Sequence, residues 1–225
     1  MNESLDFDGL RRTMVDSIAA HARTAGVDTG RPELSRAVLD VMKVVPRHEF
    51  VPSELRAFAY FDTPLPIGFG KTISQPYIVA LMTDLLDIRP GDRVLDIGTG
   101  LGYQAAVLSR LASKVYSIEI IEGLARSAMR RLSDQGCGNV DVKVGDGSAG
   151  WVGHAPFERI LVAAAPDLIP TALLAQLAPG GRMVIPAGLD GAQTLMLVTR
   201  NESGALATEE ILSVRFSELV VSAGD

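Results

Sequence analysis

Residues 94–102, Val-Leu-Asp-Ile-Gly-Thr-Gly-Leu-Gly, decide the fold class of this chain. A short apolar segment runs into three glycines at alternate positions, and residues 103–111 then follow a helical pattern. Glycine lets the backbone turn tightly and approach a ligand closely. Ligands of α/β sheets bind outside the carboxyl ends of the strands. The stretch therefore predicts a strand, a ligand-binding turn and a helix; a tight turn without a ligand is the plainer alternative.

Strands and helices continue to alternate after this turn. The predicted parallel strands are residues 93–97, 114–119, 140–144, 159–163 and 182–185. Alternation of this kind builds a parallel sheet with helices on both faces, and a further helix is expected at 166–177. Two more apolar runs, 194–199 and 210–216, have no helix between them. We therefore predict a doubly wound α/β fold whose mostly parallel, seven-stranded sheet has an antiparallel end.

The part of the chain before the sheet is predicted to be a helical extension followed by a loop. Apolar side chains recur at spacing four within residues 10–22 and again within 34–45. Residues 46–76 are rich in proline and glycine and are expected to form irregular loop with turns. The apolar face within residues 78–85 predicts one more helix before the sheet begins.

Composition narrows the functional class. Of the 225 residues, 47% are hydrophobic and 21% are charged, which is ordinary for a globular protein. The net charge of −6 and the lack of a Lys/Arg stripe argue against a nucleic-acid partner. Cys137 is the only cysteine, and together with His21, His48 and His154 it gives no metal-ligand spacing. We expect a metal-free, cytoplasmic monomer with no membrane partner.

The charge beside the glycine turn favours S-adenosylmethionine over a dinucleotide. A dinucleotide loop reads G-x-G-x-x-G and binds pyrophosphate at the helix N-terminus. Here Gly98 and Gly100 are followed by a third glycine one residue early, at 102. Asp96 precedes the turn and would repel a pyrophosphate, whereas it suits a ligand with an ammonium and a sulfonium group. A non-catalytic dinucleotide binder remains the alternative from another functional class.

Carboxylates also stand at the ends of the next two predicted strands. Glu119 can accept hydrogen bonds from both ribose hydroxyls of a nucleoside. Asp146, between two glycines at 145 and 147, can accept the amino protons of an adenine that lies against Gly147. The plainer interpretations are a solvated strand end for Glu119 and a simple turn for Asp146 and its glycines.

Residues 72–76, Thr-Ile-Ser-Gln-Pro, lead from the loop into the helix before the sheet. Ser74 is expected to cap this helix by accepting a backbone N–H, with Pro76 in the first turn. A helix N-terminus with free N–H groups and a hydroxyl is also a site for a carboxylate. If the loop folds over the glycine turn, Ser74 faces the transferable methyl group.

Six stretches resemble the protein-L-isoaspartate O-methyltransferases, in particular the bacterial type. The matching runs are VPRHEFVP (45–52), PLPIG (64–68), TISQPYIVA (72–80), LDIGTGLGYQAAVL (95–108), GDG (145–147) and VRF (214–216). The resemblance implies a class I S-adenosylmethionine-dependent methyltransferase of Rossmann-like fold. Residues 1–75 would form N-terminal helices and a substrate-side loop, and residues 76–225 the methyltransferase domain. The two parts would work as a single domain.

The resemblance also implies residue roles and an activity. Donor binding is implied for Asp96, Gly98, Gly100, Glu119, Asp146 and Gly147. Acceptor binding is expected at Ile73, Ser74, Val214, Arg215 and Phe216, with Ser74 as the catalytic residue. The implied acceptors are isoaspartyl residues of damaged peptides and unfolded proteins, methylated on the free α-carboxylate. S-adenosylhomocysteine is then the by-product, and the methyl ester goes on to a succinimide.

Three positions depart from the family pattern, namely Phe69, Lys71 and Ala163. Lys71 adds a positive charge, which we expect beside the acceptor pocket. These departures motivate an alternative, a related methyltransferase whose acceptor has changed to a dedicated peptide carboxylate or a small molecule. For 214–216, an ordinary core-facing strand with an exposed arginine is the alternative to a peptide-binding strand.

Overall fold

The computed structural model describes residues 5–221 and has two sheets flanked by helices. The elements before the main sheet are α1 (Phe7–Thr29), α2 (Arg36–Val44), the hairpin strands β1 (Leu65–Gly68) and β2 (Lys71–Ile73), and α3 (Pro76–Leu86). The elements that follow are β3 (Arg93–Ile97), α4 (Tyr103–Ser109), β4 (Lys114–Glu119), α5 (Glu122–Asp134), β5 (Val140–Val144), β6 (Phe157–Val162), α6 (Thr171–Gln176), β7 (Leu177–Ala187), β8 (Gln193–Arg200) and β9 (Leu206–Val214).

The main sheet has seven strands in the order β5-β4-β3-β6-β7-β8-β9. Strands β5, β4, β3, β6 and β7 pair in parallel, whereas β7 with β8 and β8 with β9 pair antiparallel. This confirms the predicted fold class, including the antiparallel end. The chain order reverses between β3 and β6, so a crevice opens at the carboxyl ends of these two strands, where α/β sheets bind ligands.

The central strand shows how the sheet is buried on both faces. Leu95 and Ile97 of β3 are 0% and 1% exposed and pack on the side of Leu173 from α6. Val94 points the other way and belongs to a core shared with Leu124 of α5. Such continuous burial explains why parallel strands appear in sequence as unbroken apolar runs.

The N-terminal helices share this second core rather than forming one of their own. Met14, Ile18 and Ala22 of α1 are 1%, 0% and 0% exposed and lie in the same cluster as Val94. Helix α1 extends beyond the predicted residues 10–22 because a left-handed Gly30, with φ of 63°, ends it. Within residues 5–221, none of the helices has the length and apolar character that crossing a membrane requires.

Two predictions about local structure were wrong. The segment 46–76 is not irregular throughout, since it contains two 3₁₀ helices, Arg47–Phe50 and Ser53–Phe58, and the β1–β2 hairpin. These elements are too short to produce a periodic pattern. The helix expected at 166–177 is confined to α6 because Pro170 has no N–H to donate and restricts the residue before it.

Strands β7 and β9 also have other bounds than predicted. Strand β7 begins at Leu177 instead of residue 182, directly after α6. Strand β9 ends at Val214, so Arg215 and Phe216 follow the strand and do not belong to it. These two residues therefore leave the sheet at its last edge and turn toward the crevice.

Candidate active site

A first cavity, of about 580 Å³, opens at the carboxyl ends of β3 and β4. Four of the predicted donor residues line it, namely Gly98, Gly100, Glu119 and Gly147. The hairpin closes one side with Lys71 and Thr72. Asp96 and Asp146 are not part of the lining. The cavity thus brings together the ends of three strands that are consecutive in the chain.

Glu119 is held in place at the edge of the first cavity. Its Oε2 accepts a hydrogen bond from Gly100 N at 2.8 Å, and its Oε1 accepts one from Ile121 N at 2.9 Å. The residue is 6% exposed. Each carboxylate oxygen keeps a second lone pair, so a fixed Glu119 can still accept hydroxyl protons from a ribose.

Asp96 lies behind the cavity wall and is 0% exposed. Its Oδ2 accepts a hydrogen bond from Ser117 Oγ at 2.6 Å, whereas its Oδ1 has no partner among residues 5–221. Burial raises the pKa of Asp96 to about 7, although the Ser117 hydrogen bond opposes this shift and the nearby charge of Glu119 adds to it. A buried, unpaired carboxylate oxygen of this kind fits a cationic ligand such as the ammonium group of S-adenosylmethionine.

Glycines leave the floor of the first cavity open. Gly100, with φ of 57°, adopts a conformation that other residues rarely take. A Cβ atom at Gly147 would overlap Cγ2 of Ile97. Asp146 Oδ1 accepts a hydrogen bond from Ser148 N at 2.8 Å and so caps the short 3₁₀ turn that follows. This contact is the one expected if Asp146 only forms a simple turn. The binding of adenine by Asp146 stays a prediction.

A second cavity, of about 910 Å³, is lined by four of the five predicted acceptor residues, all except Ile73. Ser74 lies on one wall, and Val214, Arg215 and Phe216 lie on another. The residues that this cavity shares with the first are Thr72, Ala163 and Ser217. The two cavities therefore adjoin at this shared boundary.

A third, smaller cavity of about 410 Å³ links the glycine turn to the segment before α3. Its lining includes Ile73 and Ser74 as well as Gly98 and Gly100. Ile73 is 7% exposed and contributes an apolar wall. The loop therefore lies against the glycine turn, which is the condition set for Ser74 to face the methyl group, and the role of Ser74 stays a prediction.

The expected capping role of Ser74 was wrong. Gln75 occupies the N-cap position of α3 and makes no capping bond with its side chain. The cap comes from Asp62, whose Oδ1 accepts a hydrogen bond from Tyr77 N at 2.8 Å. No hydrogen bond joins Ser74 Oγ to another residue in the described part of the chain. A remote carboxylate thus takes over the capping, and the Ser74 hydroxyl remains available to a ligand.

Arg47 is a site residue that the sequence did not single out. Its side chain is 0% exposed, and its Nη2 donates a hydrogen bond of 2.7 Å to the main-chain carbonyl of Ser74. The guanidinium also lies 4.9 Å from the ring centroid of Tyr103. Burial lowers the pKa of Arg47 to about 10. The buried guanidinium of Arg47 therefore holds the main chain at Ser74 in place.

The hairpin tip covers the outer side of the first cavity. Phe69 is 67% exposed and has φ of 54°. Its ring packs against Gly123, where an added Cβ atom would lie only 2.9 Å from Cζ of Phe69. The hairpin thus reaches from the glycine turn to the start of α5. Lys71 lines the first cavity and not the second, and it directly precedes Thr72, which lines both.

Comparisons with known proteins bear on this arrangement. Residues 28–224 match the family model described as protein-L-isoaspartate(D-aspartate) O-methyltransferase. Protein-L-isoaspartate O-methyltransferase 1 of Polaromonas sp. is 56% identical over 214 residues, which cover 95% of this chain and 91% of the relative. The protein of the same name from Cupriavidus necator is 54% identical over 211 residues, or 93% of this chain and 82% of the relative.

Solved structures agree in fold. A protein-L-isoaspartate O-methyltransferase structure, 28% identical, superposes with a TM-score of 0.77 over 94% of this chain and 66% of that chain. A protein from Plasmodium falciparum assigned to the same activity, solved in complex with S-adenosyl-L-homocysteine, has a TM-score of 0.75 at 22% identity. The superposition includes 91% of this chain and 97% of the Plasmodium falciparum chain.

Proposed function

Because this chain belongs to the protein-L-isoaspartate(D-aspartate) O-methyltransferase family, we propose that it methylates the free α-carboxylate of isoaspartyl residues in damaged proteins. The observation that carries the proposal is the pair of adjoining cavities. One has the features of a nucleoside site, and the other contains Ser74 and the segment after β9. Membership in the family favours this acceptor over the alternative of a changed one.

S-adenosylmethionine is the donor, and it supplies an electrophilic methyl group on a sulfonium. We assign its ribose to the fixed carboxylate of Glu119, and its adenine to the strand end at Gly147, where the floor is open. The unpaired Oδ1 of Asp96 suits its amino group. Gly98 and Gly100 allow close approach of the backbone to its methionine part.

The acceptor needs no strong general base. The pKa of a peptide carboxyl group is roughly 3.3–3.9, so the isoaspartyl carboxylate is ionised at neutral pH. The enzyme has to align one carboxylate oxygen with the methyl–sulfur bond and exclude water from the anion. Such positioning contributes about 7–11 kcal/mol in favourable cases. We assign this task to the Ser74 hydroxyl, as an orienting hydrogen-bond donor, with Ile73 forming an apolar wall.

Methyl transfer forms one bond and breaks one. A lone pair on the carboxylate oxygen forms the new O–CH₃ bond while the C–S bond breaks, and its electron pair stays on sulfur. The products are a neutral methyl ester and S-adenosylhomocysteine. The following main-chain nitrogen then attacks the ester, methanol leaves, and a succinimide forms. Hydrolysis of the succinimide returns part of the material to the normal aspartyl linkage.

Peptide binding is assigned to the segment after the edge strand. Val214, Arg215 and Phe216 line the second cavity at the end of β9. An extended acceptor can bind there through main-chain bonds, with few demands on its side chains.

A monomeric state, a cytoplasmic location and the absence of nucleic-acid or membrane partners stay predictions. Light scattering tests the first, and cell fractionation tests the second.

The decisive experiment uses two synthetic peptides that differ only in an isoaspartyl or aspartyl linkage at one position. Incubation with methyl-labelled S-adenosylmethionine should place base-labile label on the isoaspartyl peptide alone. Label on neither peptide would reject the proposed acceptor. Equal label on both would show that the enzyme does not distinguish the two linkages, which also contradicts the proposal.

A further inference from the structure

Helix α1 contributes one polar side chain to the second cavity, and that side chain is His21. The ring lines this cavity together with Ser74 and Arg215, and its side chain is 41% exposed. His21 lies before residues 28–224, the range that matches the family model. A ligand-facing histidine in this part of the chain is therefore unexplained by the site already described.

Two contacts fix the orientation of the His21 ring. Its face stacks on Tyr77, with ring centroids 3.9 Å apart and an interplanar angle of 10°. Its Nδ1 lies 3.0 Å from Oδ2 of Asp62. Asp62 is itself held, since it accepts hydrogen bonds from Tyr77 N at 2.8 Å and from Gln75 Nε2 at 3.1 Å. The ring therefore cannot turn without losing its contact with Asp62, the same carboxylate that caps α3 through its other oxygen.

The same contacts determine which nitrogen is available. An ionised carboxylate only accepts hydrogen bonds, so the proton lies on Nδ1 of His21 and points at Asp62. In the neutral ring, Nε2 then carries a lone pair. Across residues 5–221, nothing hydrogen-bonds to this Nε2. In the neutral ring this nitrogen is therefore an oriented hydrogen-bond acceptor on the wall of the second cavity.

We propose that Nε2 of His21 accepts a hydrogen bond from a main-chain N–H of the acceptor peptide. The inference rests on the proposed function, because it takes the second cavity as the acceptor site. Damaged proteins carry isoaspartyl residues in many sequence contexts, and main-chain N–H groups are common to nearly all of them. A preset acceptor facing the segment after β9 binds such a group without selecting side chains. Helix α1 is thereby part of the substrate site.

The test compares wild type with His21→Phe, which keeps the stacking on Tyr77 and removes both nitrogens. Steady-state methylation of one isoaspartyl peptide should show KM raised about three- to tenfold, as expected for one lost hydrogen bond. The kcat should stay within about twofold, and the dissociation constant of S-adenosylhomocysteine should not change. His21→Ala, at a position where alanine favours the helix, should raise KM equally and serves if the phenylalanine variant folds poorly.

Thr24→Ala is the matched control, because Thr24 is exposed on the same helix and its hydroxyl bonds, within residues 5–221, only to Ala20 O. It should leave KM unchanged. An unchanged KM in either folded His21 variant overturns the inference. So does a KM rise accompanied by equal loss of S-adenosylhomocysteine affinity, since that pattern indicates a structural role. Failure of the proposed function is distinguishable, because wild type itself would then not methylate the peptide.

Discussion

The buried guanidinium of Arg47 donates a hydrogen bond of 2.7 Å to the main-chain carbonyl of Ser74. Its Nε donates another, of 2.8 Å, to the carbonyl of Ala59. One side chain therefore joins the 3₁₀ helix Arg47–Phe50 to the two ends of the loop that carries the hairpin. The position of the Ser74 segment therefore depends on a cation that lines none of the three cavities described above.

Replacing this cation tests the support it provides. Arg47→Met leaves the carbonyls of Ala59 and Ser74 unpaired, and each buried acceptor without a partner costs about 1–3 kcal/mol. Removing a buried charge recovers part of that cost. We expect the free energy of unfolding to fall by about 2 kcal/mol in urea titrations, together with a lower kcat. Arg36→Met, at a side chain that is 94% exposed, should change neither quantity.

Asp96 should make stability depend on pH. Its pKa is raised to about 7 in the folded protein, so its contribution is full at low pH and is lost as pH rises through 7. Without donor, the free energy of unfolding of wild type relative to Asp96→Asn should therefore fall between about pH 4 and pH 7. Urea titrations across this range measure the difference. A difference that does not vary with pH would contradict the raised pKa.

The same substitution tests donor binding. An asparagine at position 96 cannot offer a charged oxygen to the amino group of the donor. We expect Asp96→Asn to weaken S-adenosylhomocysteine binding about ten- to a hundredfold at pH 8, the range for a hydrogen bond to a charged group. Calorimetric titration measures this. An unchanged dissociation constant would remove Asp96 from the donor site.

Ser74→Ala should lower kcat while leaving the stability of the fold nearly unchanged. The hydroxyl makes no hydrogen bond within residues 5–221, and Asp62 caps α3, so stability should change by less than about 0.5 kcal/mol. A misplaced carboxylate should reduce kcat about a hundredfold while donor affinity is kept. Asp62→Ala is the counterpart and should lower stability by about 1 kcal/mol through loss of the cap. Wild-type turnover in Ser74→Ala would exclude it from the mechanism.

Two neighbouring glycines offer a steric comparison. A methyl group at Gly147 would overlap Ile97 Cγ2 at the floor of the first cavity, whereas at Gly145 its nearest contact, with Lys143 Cε, is an ordinary 3.5 Å. We expect Gly147→Ala to lower both stability, by about 1–3 kcal/mol, and donor affinity. Gly145→Ala should be nearly neutral in thermal unfolding and in S-adenosylhomocysteine titration. Equal behaviour of the two variants would contradict this view of the floor.

Local sequence was enough to predict the sheet and to single out four residues that line the first cavity. The apolar runs of β3 and β4 and the glycines between β3 and α4 carry their own signal, because burial and backbone conformation are decided within a few residues. The contacts that sequence could not supply are long-range. Asp62 lies 41 residues from His21 and 15 from Tyr77, and no periodic pattern connects them. For this reason capping was wrongly assigned to the nearer hydroxyl of Ser74.

Thr72, Ala163 and Ser217 line both the first and the second cavity, and this shared boundary has a consequence for inhibitor design. A single molecule can occupy both sides if an adenosine is tethered through a short thioether to an isoaspartyl-like peptide. Once one half is bound, the tether holds the other half at high effective concentration beside its own cavity. The affinity of the whole molecule should therefore exceed that of either half alone. The tether has to be slim where it passes Ala163, which makes linker width the parameter to vary first.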